Sequence, residues 1–305
     1  MALDNRSLLA FLQVARLGSI GAAATSISIT QPALSRTLRN LEQKLGVSLF
    51  IRHSTGMELT SFGRALLPHA ALIESGLYRA KEEIDLLKGA SKGVARVGIL
   101  PSLIPDSLPL VLNKLLKKLP GIELQILEAP NHKLILALLN GDIDFAVAAI
   151  SPEFSDEKLV VSAIIEDENY IVASSRHSVV KKKRLKLTDL LSYQWALQEK
   201  GGAIWRDFRA MFAASQLEPP KITLTANSIT TLKTAIISSD MLTVLPEVSI
   251  KAERDMGILQ IVPVENVRWR RQIGIMRRSV GPILPVAVLA LSEFRDALRE
   301  IPRRL

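Results

Sequence analysis

Leucines at 34, 38, 41 and 45 step by four, three and four, which commits residues 31–45 to an amphipathic helix with one buried stripe. The opposite face then carries Gln31, Pro32, Ser35, Arg36, Arg39 and Gln43. The flanking residues set this helix in a compact frame. Leu8, Phe11, Leu12 and Ala15 recur at helical spacing and predict a first helix that ends near Leu17-Gly18. Ser19 caps a short second helix through Ala22-Ala23-Ala24, whose small side chains allow close approach. Ser28-Ile29 turn the chain, Thr30 caps the third helix, and Pro32 lies in its first turn, where a missing N–H costs little. Gly46 ends it. Val47–Phe50 and Met57–Thr60 then flank Arg52-His53-Ser54-Thr55-Gly56, the pattern of a short hairpin with a polar tip.

Helix, tight turn, basic-faced helix and hairpin make a winged helix-turn-helix, a shape that fits a DNA major groove. Gln pairs bidentately with adenine, Arg with guanine, and Ser meets a base edge or a phosphate. A helix N-terminus also favours phosphate. The contact set expected for double-stranded DNA is Thr30, Gln31, Pro32, Ser35, Arg36 and Arg39 on the helix, with Arg52 and His53 on the wing. Taken singly, Arg36 or Arg39 reads as an ordinary surface arginine; taken together, the pattern points to DNA. The bulk charge agrees: 39 Lys and Arg against 30 Asp and Glu give a formal net charge of +9.

The residues ITQPALSRTLRNLEQKLGVSLFIR followed by LTSFGRALLPHA resemble the N-terminal signature of LysR-type transcriptional regulators, almost continuously from Leu8 to about Ala70. The family's Gln-Pro-Ala-Leu-Ser core stands here as Gln31 to Ser35, its Leu-Phe-x-Arg as Leu49 to Arg52, and its Leu-Thr-x-x-Gly as Leu59 to Gly63. His53 to Met57 is the chain's own, so wing contacts transfer least. The resemblance implies a homodimer assembling to a homotetramer that bends DNA, an effector-responsive mechanism, and RNA polymerase as a further partner.

Thr60 caps a long helical pattern over 61–88. Leu66, Ala70, Ile73, Leu77, Ala80, Ile84 and Leu87 form a heptad seam that predicts a two-helix coiled coil, a dimerisation surface in the family as well. A long helix packed on its own chain has a similar pattern over three heptads. Pro68 interrupts the early turns. Residues 89–93 (Gly-Ala-Ser-Lys-Gly) read as a hinge.

From Val94 onward, strands and helices alternate: strands at 94–100, 122–127, 145–150, 170–173, 195–198, 222–225 and 242–245, with helices between them. Extended crossovers fall near 159–165 and 258–264, and residues 269–276 with a final helix at 284–300 return to the first block. The expected fold is therefore a two-part α+β chain. A winged helix-turn-helix (1–60), a linker helix (61–88) and a hinge precede an α/β effector domain (94–305). The domain resembles the periplasmic-binding-protein-like part of the same family. Its lobe I spans about 94–165 and 265–305, and its lobe II about 166–264. Most of the family has glycine where this chain has Asp240.

Ligands of open α/β sheets bind beyond the carboxyl ends of the strands. That rule selects Pro101, Ser102 and Leu103; Asn131 beside Pro130 and His132; Ile150 before Ser151-Pro152; Gln198 in Gln198–Gly202; Gly202 itself; and Asn227 with Ser228. Hydroxyls, amides and helix N-termini suit a small anionic effector. Helix capping explains each residue singly.

Catalytic and cofactor patterns are weak. The chain has no cysteine, which removes disulfides, thiolate sites and thiol-based redox sensing. The four histidines, at 53, 69, 132 and 177, make no metal pair, and no cofactor is expected. Ser102, His132 and Asp142 or Asp144 suggest a triad only without the usual nucleophile elbow. Gly141-Asp142-Ile143-Asp144 reads as a helix end, and Lys181–Arg184 as a solvated loop. With no signal peptide and no long apolar run, the expected location is the cytoplasm. Two alternatives stay open: an α/β enzyme or binding protein with a helical appendage, and a constitutive regulator whose cleft is filled by Trp205 or Phe208.

Overall fold

The computed structural model describes residues 3–88, 93–150, 157–200, 202–265, 267 and 269–301. Ser151-Pro152, Gly201 and residues 89–92 of the expected hinge lie outside these. In the N-terminal part, α1 (Asn5–Leu17) begins where the Asp4 carboxylate accepts the Ser7 N–H at 2.8 Å. It ends at Gly18, whose φ of +63° favours glycine. Ser19 caps α2 (Ile20–Ser26), and Thr30 caps α3 (Gln31–Leu45). Leu34, Leu38 and Leu41 are buried, as their spacing requires, while Leu45 is half-buried. They pack with Leu8, Phe11, Leu12, Leu49 and Phe50 in one core. The Phe11 and Phe50 rings lie 5.3 Å apart.

The wing differs from the expected strand pair. β1 is Phe50–His53 and β2 is Gly56–Leu59, paired from Phe50↔Leu59 to His53↔Gly56. The first strand starts three residues later than expected because α3 holds the preceding segment. The Glu42 carbonyl accepts the Val47 N–H at 3.3 Å, and its carboxylate accepts those of Leu49 at 2.8 Å and Phe50 at 3.4 Å. Arg52 and His53 therefore sit in the strand, and the tip is the turn at Ser54-Thr55. Thr60 caps α4 (Ser61–Leu87) by accepting the Gly63 N–H at 3.0 Å. Pro68 is accommodated inside that helix.

The C-terminal part is a nine-stranded sheet, among the described residues, flanked by helices. Lobe I starts with β3 (Val94–Ile99), α5 (Ile104–Lys118), β4 (Glu123–Glu128), α6 (Asn131–Asn140) and β5 (Phe145–Ile150). β3 pairs in parallel with both β4 and β5. Then β6 (Leu159–Ser174) runs unbroken from lobe I into lobe II, where a short strand around 170 was expected. Lobe II holds β7 (Gln194–Leu197), α7 (Ala203–Ala214), β8 (Ile222–Thr225), α8 (Ile229–Ser238) and β9 (Met241–Pro246). Next come α9 (Glu247–Asp255) and β10 (Leu259–Ile261); α9 is a helix the sequence patterns did not single out. β11 (Trp269–Arg278) returns antiparallel to both β6 and β5, and α10 (Pro285–Glu300) closes the core of lobe I.

Sheet order is β4-β3-β5-β11-β6-β9-β7-β8, with β10 also on β6. Each lobe thus has its own core, and β6 and β11 are common to both. Phe145 and Phe294 meet edge-on at 5.7 Å in lobe I, and Trp195 and Phe208 at 4.8 Å in lobe II. Phe208 is fully buried there, so it is core and not cleft filling. Trp205 is half-buried against the same core. Among the described residues, no helix is long and apolar enough to cross a membrane.

Candidate DNA interface and effector cleft

On α3, burial of the leucine stripe turns the polar face outward. Thr30, Gln31, Pro32, Arg36 and Arg39 are exposed and Ser35 is half-buried. The Arg39 Nε–H donates to the Ser35 carbonyl at 3.4 Å, laying that side chain along its own helix. Arg36 lies in a groove of about 460 Å³ with Arg6, Asn40 and Lys44 on its walls. Asp4, which also lines this groove, pairs with Lys44 at 3.2 Å. Its carboxyl is lowered to about 2, first by the Ser7 backbone N–H, then by the Ser7 hydroxyl and Lys44. On the wing, Arg52 is exposed and His53 faces Glu58 at 3.4 Å.

The seam on α4 divides in two. Ala70 is 1% exposed and Leu66 is half-buried in the chain's own N-terminal core. Ile73, Leu77, Ile84 and Leu87 are exposed by 37, 47, 52 and 84%, and Ala80 is exposed beside them. Arg16 on α1 meets Glu74 on α4 at 2.7 Å, an ion pair that no local pattern foretells.

In the effector domain, Pro101–Leu103 form a 3-10 turn directly after β3, with Ser102 and Leu103 buried. The Ser102 hydroxyl accepts from Arg271 Nη2 at 3.1 Å, and Arg271 Nε donates to Asp167 Oδ2 at 2.9 Å. Ser102 is thus held by an ion pair, not by His132, which is exposed. Asp144 accepts the Arg96 N–H at 2.8 Å. These contacts replace the suggested triad.

The side chain of Asn131 opens α6 without capping it. Its Oδ1 accepts the Ala149 N–H at 3.2 Å while its Nδ2 donates to the Ala149 carbonyl, so both ends are engaged with β5. Ile150 is half-buried at the end of that strand, as is Gln198 after β7. Asn227 accepts the Glu199 N–H at 3.3 Å and donates to the Glu199 carboxylate at 2.6 Å. Ser228 caps α8, and Gly202 stands at the N-cap of α7. Asn131, Asn227 and Ser228 therefore spend hydrogen bonds on the fold itself.

Sequence patterns missed Arg271, Asp167 and α9. Val248 of α9 packs on the core of lobe I, and α9 also meets the Pro101–Leu103 turn. Burial raises the Asp106 carboxyl above its ordinary value, with Asp167 adding to the shift and Lys251 opposing it. One signal was available: Asp167 and Arg271 occupy inward positions of strands whose other inward residues include Ile165, Ile171, Ile273 and Ile275. Asp240 takes no left-handed φ, and its carbonyl faces His177 Nε2 at 3.2 Å. Because His177 Nδ1 accepts the Val179 N–H, Nε2 carries the proton. Gly141 has a φ of +80° just after α6, which fits the reading of 141–144 as a helix end. Lys181 to Arg184 are exposed. No cluster of three or more metal-ligating side chains occurs among the described residues.

A winged helix-turn-helix followed by a long helix and a two-lobed α/β domain defines a DNA-binding regulator with an attached sensor. Residues 5–64 match the family model of the bacterial regulatory helix-turn-helix protein, lysR family, and residues 88–301 match the LysR substrate binding domain. The chain belongs to the LysR family of transcriptional regulators, which are not enzymes. It is 28% identical over 297 residues to the HTH-type transcriptional regulator GbpR of Azospirillum brasilense, covering 97% of this chain and 86% of that protein. Among solved structures, ArgP from Mycobacterium tuberculosis superposes with a TM-score of 0.73 at 18% identity, over 99% of both chains. Full-length CbnR complexed with its target DNA gives 0.65 at 22% identity, over 97% of this chain and 100% of that one. At these identities the two structures speak for the fold.

Proposed function

We propose that this chain reads partly symmetric promoter DNA as a homodimer that assembles to a homotetramer, and that a small anion in the interlobe cleft controls it in the cytoplasm, with RNA polymerase as a partner. The division that goes with this is a reader (1–60), a linker (61–88), a hinge (89–93) and a two-lobed sensor (94–305). The observation that carries the reading is the exposed polar face at the start of α3, set on a buried leucine stripe. Thr30, Gln31, Pro32, Ser35, Arg36 and Arg39 are the proposed contacts, with Arg52 and His53 on phosphates or in the minor groove beside them. The solved complex of CbnR with DNA supports the same use of this fold. Exposed Ile73, Leu77, Ala80, Ile84 and Leu87 support pairing through the C-terminal part of α4, because such a stripe gains by burial against a second copy. Leu66 and Ala70 then serve the reader's core.

The test selects operators from random duplexes with the full chain, then compares Arg36→Ala on the selected and on unrelated DNA at fixed salt. A base-reading Arg36 costs about 1–3 kcal/mol on the operator alone. An equal loss on every duplex makes Arg36 a phosphate contact and refutes its role in reading sequence.

A further inference from the structure

Where β6 passes from one lobe to the other, its inward residues change character. Ile165 belongs to the core of lobe I and Ile171 to the core of lobe II, while Asp167 and Asn169, between them on the same face, are 8 and 7% exposed. Arg271 stands directly opposite Asp167 on β11, and Trp269 opposite Asn169. A polar floor thus separates two apolar cores, with the Ser102 hydroxyl hydrogen-bonded to it through Arg271.

The hydrogen bonds of this floor are incomplete in a particular way. Arg271 gives Nε and Nη2 to the same oxygen, Asp167 Oδ2, and Nη2 also to Ser102. Asp167 Oδ1 accepts the Glu168 N–H at 2.8 Å. Nη1 of Arg271 makes no hydrogen bond among the described residues, and buried Asn169 Oδ1 finds no donor. Nη1, on a side chain 15% exposed, is free to donate to an acceptor, Asn169 Oδ1 lacks a donor, and two residues along a strand span only about 7 Å. On the opposite face, Arg270 pairs with Glu168 at 3.1 Å, and Tyr170 donates to that carboxylate at 2.6 Å. Arg270 is thus engaged elsewhere. A buried Arg–carboxylate pair is no more stable than a well-packed apolar pair of its size, so stability alone gives little reason to keep one between two cores.

We propose that Arg271 is the anion receptor of the effector cleft and that Asp167 is an internal carboxylate competing for it. The effector is then a small carboxylate with a neighbouring donor, the chemistry of an α-amino or α-hydroxy acid. This rests on the reading of an anionic effector. The carboxylate takes Arg271 and the Ser102 hydroxyl, and the adjacent N–H or O–H serves Asn169 Oδ1. Displacing Asp167 loosens the pair that ties β6 to β11, which couples the ligand to the junction of the lobes.

Two measurements on the full chain test this. In the first, Asp167→Asn lowers the thermal midpoint, and acetate restores it while hardly moving the parent; no restoration overturns the competitor role, whatever the natural effector is. In the second, α-amino acids, α-hydroxy acids, plain carboxylates and neutral sugars are titrated against the parent, Asp167→Asn and Arg271→Lys. The expected result is that α-substituted acids bind best, about tenfold tighter to Asp167→Asn and about tenfold weaker to Arg271→Lys, which keeps the charge but loses the fork. Anions that bind parent and Arg271→Lys equally overturn the receptor while leaving the anionic effector standing. Plain carboxylates binding as well as substituted ones overturn the donor requirement. Binding of sugars alone overturns the anionic reading itself.

Discussion

Adding a single methyl group at Gly63 sets two physical effects against each other. Replacing a helical glycine by alanine normally stabilises by about 1 kcal/mol. At Gly63, though, a Cβ would lie 2.2 Å from the Leu49 carbonyl oxygen and 2.8 Å from Leu59 Cδ2. That carbonyl also accepts the Thr60 N–H at 3.0 Å, so it cannot retreat without weakening the start of α4. Overpacking costs about 1–3 kcal/mol, and the strained hydrogen bond about 1 more. After subtracting the propensity gain, Gly63→Ala should lose about 1–3 kcal/mol. Gly76, in the same helix, meets nothing within 4 Å, so Gly76→Ala should gain about 1 kcal/mol. Urea unfolding followed by helical circular dichroism measures both. All three tryptophans, Trp195, Trp205 and Trp269, lie in the effector domain, so a transition seen by dichroism but not by fluorescence isolates the reader. If Gly63→Ala is as stable as the parent in that transition, α4 is not seated against the wing by close approach at this glycine.

Two more changes probe the reader. Glu42→Ala strips the acceptor from the Leu49 and Phe50 N–H groups and should cost about 1.5–3 kcal/mol, with Glu42→Gln milder; equal stability in urea would mean that the wing is held without it. Asp4 has a folded pKa of about 2, below its ordinary 3.8, so its contribution is complete above about pH 4 and is lost as pH falls towards 2. Asp4→Asn should therefore flatten the fall in urea midpoint across that window, and parallel curves for variant and parent would remove Asp4 from the account.

What the sequence made legible is what local chemistry determines. Ser19, Thr30 and Thr60 cap the helices assigned to them because a side-chain oxygen reaches an amide three residues on. The leucine stripe of α3 is legible for the same reason. The wing strand began late because Glu42 captures backbone eight residues away, across a helix end. Polar EVSIKAERD hides α9, whose helical state depends on Val248 and Ile250 packing under it. The cleft was least legible. Ser102 was found from strand ends, but its partner lies 169 residues further on, and the Arg271–Asp167 pair closes over 104. Asn131 and Asn227 fit a ligand site by residue type, and the structure adds their hydrogen bonds to Ala149 and Glu199, which no local pattern foretells.

Sharing β6 and β11 between the lobes has a consequence for how the chain is made. The reader's core is complete once residue 71 has left the ribosome, since every residue in it lies between Leu8 and Ala71. Lobe I is different: Ile273, Ile275, Ala290 and Phe294 fill its centre, so it stays open until the segment from Ile273 to Ile301 has been synthesised. A nascent or prematurely stopped chain passes through a stage in which the DNA-reading half is finished while the sensing half still lacks its middle strand. A nonsense change before Trp269 would leave a reader severed from its control.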